Sequence, residues 1–285
     1  LGVAWQQDAA QTLNALNGKK TDWLVVDHYA LDVLWERRVA AQVNNIMVID
    51  DLADRPHQCQ LLLDQNLGRE AQDYDGLIPE ACTRLIGPHY ALLRPEFAEL
   101  REASLERRKT PKLERILITL GGVDQNNVTG QVLDALAQSS LPPETELDIV
   151  MGASAPALET VRQQSEALPF RSSVSVNVSD MAERMYMADL CIGAAGSTSW
   201  ERCCLGLPSI QLVLADNQRM VNKALIDNGA ALGLDLQTDQ IVGAGMLDFV
   251  LKQVRSNMSR MNANAASVTD GLGCSRVLNQ LVGFE

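Results

Sequence analysis

Short apolar runs ending in an acid or a glycine alternate with helix-length stretches along most of this 285-residue chain, which leaves few folds open. Residues 23–27 (W-L-V-V-D), 46–50 (I-M-V-I-D) and 60–64 (Q-L-L-L-D) repeat one design, and 31–41 has the spacing of a crossover helix. Strands buried on both faces of a parallel sheet read as such unbroken apolar runs. A second series begins at 115–120 (R-I-L-I-T-L) and the turn Gly121-Gly122-Val123-Asp124, with a helix through Ala137. It continues with strands at 146–151, 173–176, 189–192 and 208–213, separated by helices at 155–167, 179–188 and 198–206. Alternation this regular predicts an α/β protein of two Rossmann-like, doubly wound domains. Residues 65–88 read as loop, and 95–112 as a charged helix running through Arg107-Arg108-Lys109 and Pro111 into a linker. The domains are therefore expected at 1–110 and 111–285, with a last helix near 273–282 packing back on the first.

Residues 1–17 read as a helix that no strand precedes, and the first residue is leucine. The expectation is a chain that starts inside a domain, with its first domain N-terminally truncated. The opening lacks the basic and apolar regions of a signal peptide. A net charge of −12 disfavours sequence-independent binding to nucleic acid or to an anionic membrane, and no apolar run is long enough to span a bilayer. Six cysteines lack zinc-site spacing and are expected as buried free thiols in a reducing, cytoplasmic setting. A monomer is expected.

Ligands of open α/β sheets bind beyond the carboxyl ends of the strands, which ranks the polar residues. The richest such point is G-A-A-G-S-T-S-W-E-R-C-C-L-G-L-P at 193–208. Gly193 and Gly196 permit a tight turn and close approach of a ligand to the backbone. The helix start behind them suits a phosphate, and Glu201 lies one turn in, on the face of Ser197, where a carboxylate can accept from ribose hydroxyls. Thr198-x-x-Glu201 also reads as a capping box, but capping alone does not need two glycines. Gly121-Gly122 is a second possible phosphate or sugar loop, with Asn126 or Asn127 capping the next helix. Asp27-His28-Tyr29 places an acid, an imidazole and a phenol at one strand end, where His28 could act as a base and Tyr29 could hold water or a substrate oxygen. The bland alternative there is a strand end satisfied by local hydrogen bonds. Asp50-Asp51 points to opposite faces of a strand and predicts no metal site. His57 and His89 have no spacing that singles them out. Asp216-Asn217 is either a helix cap or an amide that reaches the ligand.

Taken together the motifs resemble one family, the UDP-2,4-diacetamido-2,4,6-trideoxy-β-L-altropyranose hydrolases of pseudaminic acid biosynthesis. The resemblance rests on V-V-D-H-Y at 25–29, I-D-D at 49–51, L-L-D-Q-N at 62–66, D-Y-D-G-L at 73–77 and G-P-H-Y-A-L-L-R-P-E-F at 87–97. It continues with L-G-G-V-D at 120–124, the Gly-to-Glu run at 193–201 and A-D-N-Q at 215–218. The Gly-to-Glu run is shared with a wider group of UDP-sugar enzymes, including the N-acetylglucosaminyltransferase that completes the peptidoglycan lipid precursor. The resemblance implies a glycosyltransferase-B architecture with two domains facing a cleft. It implies release of UDP by water, with inversion, without metal or cofactor, in a pathway that supplies flagellin glycosylation. UDP would be held by Gly121, Gly122, Gly196, Ser197, Thr198 and Glu201. Tyr29 and Asn217 would face the sugar and the reacting water, with His28 beside them.

Members of that family open with a strand and a G-x-G-H loop whose histidine is their expected base, and no G-x-G-H occurs here. The segment corresponds to about 50 residues at ~25 per βα pair. The resemblance thus implies a chain that is weak or inactive as it stands. Two other readings stay open: a UDP-sugar-dependent glycosyltransferase of the same fold, and a non-catalytic nucleotide-sugar-binding protein.

Overall fold

A computed structural model describes residues 3–235 and 243–283. The chain divides into two compact units, residues 1–92 with 272–285, and residues 93–271.

The first unit is built on a parallel sheet of four strands in the order β1-β2-β3-β4: Thr21–Val26, Val43–Ile49, Leu61–Asp64 and Thr83–Ile86. Helices α1 (Trp5–Leu16) and α2 (Val33–Val39) cover one face. There Trp35, Val39, Ile46, Val48 and Leu62 pack with Tyr74 and Ile78. Side chains alternate across the pleat, so Met47, Leu61, Leu63 and Leu85 face the other way and meet Val277 and Leu281. Those two belong to the last helix of the chain, α10 (Gly273–Val282), and the Trp23 indole donates to the Leu281 carbonyl at 3.0 Å. Strand β4 lies inside the stretch read as loop. It is four residues long and only Leu85 of it is buried, so it carries almost no apolar pattern.

The second unit is a six-stranded parallel sheet, β5 (Arg115–Thr119), β6 (Glu146–Met151), β7 (Arg171–Val176), β8 (Leu190–Ala194), β9 (Ser209–Val213) and β10 (Ala231–Asp235). Its order is β10-β9-β8-β5-β6-β7. The helices are α3 (Pro95–Arg107), α4 (Val128–Ala137), α5 (Leu158–Ala167), α6 (Met181–Met187), α7 (Thr198–Cys204), α8 (Gln218–Asn228) and α9 (Ala244–Val268). Ile116, Ile118, Leu147, Ile149, Ile192 and Ile210 form the sheet side of the core, with Leu133, Leu136, Leu247 and Val254 packed on it.

Helix α3 belongs to this second unit, and its basic cluster is not a solvated run. Arg108 is buried and donates to the carbonyls of Met185, Ala188 and Leu205 at 2.8–2.9 Å. Arg107 donates to the Met187 carbonyl and pairs with Asp189, and Arg101 donates to the carbonyls of Cys204 and Ala266. The last carbonyls of a helix have no partner within it, and cations satisfy them well. Arg101 and Arg107 of α3, with Arg108 at its C-cap, therefore close the C-terminal ends of α6, α7 and α9.

All six cysteines are unbridged and five are buried. Among the described residues no helix is long and apolar enough to cross a membrane.

Candidate functional site

The strand order of the second unit locates its ligand edge. The chain lays down β5, moves outward through β6 and β7, then returns to β5's other side with β8, β9 and β10. The loops after β5 and β8 therefore leave neighbouring strands, with Thr119 in register with Gly193, and diverge. Such a switch point is where open α/β sheets bind ligands.

After β8 the chain turns through Ala195, Gly196 and Ser197 into α7. The N–H of Ser199 bonds the Gly196 carbonyl and that of Trp200 bonds the Ser197 carbonyl. The N–H groups of Gly196, Ser197 and Thr198 have no hydrogen-bond partner among the described residues. Three successive unpaired donors on a glycine loop form an anion-accepting concavity. A side chain on Gly196 would meet nothing within 4 Å, so the space above the loop is open. The capping box does not form: Ser197 is the N-cap, in helical conformation and without a side-chain cap, and Thr198 is already helical. Gly193 also serves a different purpose from the one the sequence suggested. A Cβ there would lie 2.8 Å from Nη1 of Arg202 and 3.0 Å from the Thr119 carbonyl, so its bareness makes room for a buried guanidinium rather than for a ligand.

After β5, Gly121 has φ +96°, a conformation that only glycine adopts freely, and neither Gly121 nor Gly122 has an atom where a Cβ would reach. The loop is fixed from the far side. The Gly122 carbonyl lies 1.9 Å from where a Cβ on Gly152 would stand, so the turn after β6 must also be bare. The first N–H groups of α4 are already used. The buried Asp124 carboxylate accepts from Val128 and Thr129 at 2.8 and 2.9 Å, and Asn127, the N-cap, accepts from Gly130 at 3.1 Å. This helix end holds its own anion, so the β5 loop can offer a phosphate or sugar only the backbone of its glycines.

Glu201 is half-buried on α7, and no hydrogen bond or ion pair from the described residues engages its carboxylate. Burial pushes that carboxyl above the usual glutamate range, against the pull of Arg94 and Arg202. A partly dehydrated carboxylate without a donor is costly unless something supplies one. Asn217, at the start of α8, is exposed and makes no side-chain cap.

In the first unit the polar residues likewise gather at the carboxyl ends of the strands. Tyr29 is 59% exposed and donates to Oδ2 of Asp51 at 3.0 Å. Its only hydroxyl proton is thus committed, which makes the oxygen an acceptor toward anything else it meets. Burial raises the Asp51 carboxyl, and the charges of Asp50 and Asp27 add to the effect. The Nδ1 of His28 accepts the Ala30 amide at 3.1 Å, which in the neutral ring places the proton on Nε2.

Beneath them lies a network that the sequence did not single out. His57 bonds Glu36 at 2.6 Å, and Arg55 pairs with Asp50 at 2.8 Å. The Tyr74 hydroxyl sits 3.0 Å from Asp50 and 2.9 Å from Asp64, and Arg69 bonds Asp64 at 2.8 Å. Burial alone would raise Asp50, but the Ala53 amide, Arg55 and Tyr74 hold it below the usual carboxylate range. Asp64 stays above that range because burial outweighs its donors. Asp50 thus faces inward as a structural anion, while Asp51 beside it reaches Tyr29. Among the described residues no group of three or more His, Cys, Asp or Glu side chains is arranged to hold a metal ion.

Sequence reading gave Arg202 and Tyr74 no role, and weighed Asp51 only as a metal ligand. The first had a local signal, a basic residue just before the apolar run Cys203-Cys204-Leu205. The other two act through contacts from distant segments that no local pattern encodes.

Comparison with known proteins bears on both units. Residues 115–280 match the glycosyltransferase family 28 C-terminal domain. The spore coat polysaccharide biosynthesis protein SpsG of Bacillus subtilis is 30% identical over 194 residues, 67% of this chain and 56% of that protein. The UDP-2,4-diacetamido-2,4,6-trideoxy-beta-L-altropyranose hydrolase of Campylobacter jejuni is 30% identical over 153 residues, 54% of this chain and 52% of that protein. The chain thus spans about half the length of the curated relatives it matches. Among solved structures, MurG of Acinetobacter baumannii superposes with a TM-score of 0.69 at 15% identity, over 98% of this chain and 78% of that one. The spinosyn rhamnosyltransferase SpnG gives 0.63 at 15%, over 96% and 77%. At such identities the likeness establishes the fold, which is that of the GT-B glycosyltransferases.

Proposed function

Because the chain belongs to the glycosyltransferase family 28 C-terminal domain family, we propose that it acts on a nucleotide sugar, releasing UDP from a UDP-linked 2,4-diacetamido-2,4,6-trideoxyhexose by attack of water. One observation carries the nucleotide half of this reading. An unpartnered, half-buried Glu201 carboxylate stands one turn from three unpaired backbone donors, at the switch point of a parallel sheet. The donors of Gly196, Ser197 and Thr198 suit a diphosphate, and Glu201 suits the ribose hydroxyls. Gly121 and Gly122 leave room for the nucleotide to lie against the neighbouring loop.

The hydrolytic half is supported by the motifs shared with the altropyranose hydrolases and by the 30% identity to the Campylobacter jejuni enzyme. In this reading water forms the new bond to the anomeric carbon as the bond to the diphosphate oxygen breaks. UDP leaves as an anion stabilised by the oriented N–H groups. The family resemblance, not the geometry, assigns Tyr29 and Asn217 to the sugar and the reacting water, and Tyr29, held by Asp51, can act there as an acceptor. His28, a donor in its neutral form, orients a sugar oxygen rather than removing the water's proton. The water's proton passes to solvent or to the departing diphosphate, and turnover is expected to be slow.

The test is UDP release from the UDP-linked sugar with no acceptor present. The chain is run beside a version extended upstream by a strand–loop–helix–strand unit bearing G-x-G-H. Acceptor-free release, slow from the first and fast from the second, supports hydrolysis. UDP release that appears only when an acceptor is added would establish the transferase reading, and binding without any turnover the non-catalytic one.

A further inference from the structure

Several arginines of the second unit are held by an anionic or helix-terminal partner. Arg184 pairs with Asp148, Arg107 with Asp189, and Arg101 and Arg108 reach the carbonyls at helix C-termini. Arg202 differs. It is 1% exposed and forms no ion pair with any described carboxylate, and its Nε has no hydrogen-bond partner. Its side chain runs back along α7, as helical side chains do, so that the charge lies at the N-terminal end of the helix. That is the end whose dipole opposes a cation. The neighbouring Cys191 cannot neutralise it, because burial holds that thiol in its neutral form. The Glu201 carboxylate lies within range of its charge but makes no ion pair with it. A buried guanidinium with no paired anion favours one that arrives from outside.

Its contacts show where that anion would be felt. Nη2 donates to the Ala194 carbonyl at 2.9 Å and to Ser199 Oγ at 2.8 Å, and Nη1 donates to Thr198 Oγ1 at 3.2 Å. Each of these atoms belongs to the turn that carries the unpaired N–H groups of 196–198. Thr198 Oγ1 accepts from Arg202, so its own hydrogen is directed elsewhere and serves as a donor. Gln211 bonds the same Ser199 hydroxyl at 3.2 Å and fixes it from the β9 side. The room for the guanidinium exists only because residue 193 has no side chain.

We propose that Arg202 is the buried counter-charge and positioning residue for the diphosphate of the bound nucleotide. It acts from beneath the β8–α7 turn, through Thr198 and Ser199, without touching the ligand. The proposal rests on the nucleotide reading of that turn and adds to it the source of the positive charge, which net composition does not supply.

Calorimetric titration of the full chain with UDP, UMP and uridine tests it, for the wild type, R202Q and R202K. Thermal unfolding of each variant is measured alongside. Charge supply predicts that R202Q weakens UDP by roughly tenfold or more, as expected of a unit charge a few ångströms from a diphosphate at an effective screening of about 20. UMP should lose less, and uridine should stay within about twofold. R202K should restore UDP binding to within roughly threefold, since a lysine keeps the charge but not the planar fork. A purely structural arginine would weaken all three ligands together, and lysine would not rescue it; that pattern overturns the proposal. If R202Q does not fold, R202K decides alone, and UDP binding no better than uridine binding in that variant overturns it. Wild-type chain that binds UDP no more tightly than uridine would sink the diphosphate reading and this proposal together. Unchanged UDP affinity in R202Q would sink this proposal and leave the reading intact.

Discussion

Replacing Gly196 by alanine separates a ligand-facing glycine from a structural one. Gly196 is not among the glycines with positive φ, and an added Cβ meets no atom within 4 Å, so the methyl fits the free chain without strain. Its effect on folding comes through the unfolded state, where alanine has less freedom to lose, and is a gain of about 0.4–1 kcal/mol. For a chain of this size that is a rise of roughly 1–3 °C in the unfolding midpoint. Binding should move the other way. The methyl occupies the space from which a diphosphate reaches the N–H groups of 196–198. Losing one charge-assisted hydrogen bond costs about 1.5–3 kcal/mol, or roughly 10- to 150-fold in UDP affinity. Calorimetric titration with UDP and a thermal melt of the same preparation read both effects. UDP affinity within about threefold of wild type would refute the assignment of this turn to phosphate. A melt lowered by several degrees would refute the claim that the space above it is open.

Glu201 and the buried network of the first unit give two further expectations. The Glu201 carboxyl, raised by burial, takes up its proton at a higher pH than an ordinary glutamate, whose value is about 4.3. Only the ionised form accepts from two ribose hydroxyls, so uridine affinity should fall as pH drops, beginning above that value. The acid limb should be absent in E201Q. Uridine has no phosphate to titrate, and a wild-type profile flat down to about pH 4.3 would contradict the reading. In the first unit, Y74F removes the hydroxyl that lies between Asp50 and Asp64 and should destabilise by about 1.5–3 kcal/mol in denaturant unfolding, with uridine binding unchanged. A loss below about 0.5 kcal/mol, the scale of a surface substitution, would show that the two carboxylates do not depend on it.

The parallel strands were legible because burial on both faces writes itself as an apolar run: 61–64 and 190–193 are buried without interruption. The elements that escaped lack that signature. Strand β4 reads T-R-L-I, with one buried residue. Helix α9 extends over 25 residues, and Asn and Ser, weak helix formers, recur through its second half among basic and apolar side chains. Only the spacing of Leu247, Val250, Leu251, Val254, Met258, Met261 and Ala265 betrays it, and packing against α4, α7 and β10 makes it helical. At the site, the glycine turn and Glu201 stood out because they are contiguous. The meaning of Gly193 could not be read, because it depends on an arginine nine residues later folding back beneath it. Likewise Asp124 looked like turn punctuation, and the structure shows it as the internal anion of α4.

The arginines of α3 have a consequence beyond tying helices down. In β-α-β units each helix runs against its strands, so the negative ends of α6 and α7 lie at the amino edge of the sheet and their positive ends at the carboxyl edge. Arg101, Arg107 and Arg108 cover the negative ends with cations. At the opposite edge the N–H groups of 196–198, at the start of α7, stay unpaired and present partial positive charge. A protein with a net charge of −12 should repel a diphosphate at a distance. Screening confines that repulsion to about 8–10 Å in physiological salt. Inside that range an approaching anion meets the local polarity that three well-placed side chains have left exposed, so this unit can attract what the molecule as a whole rejects.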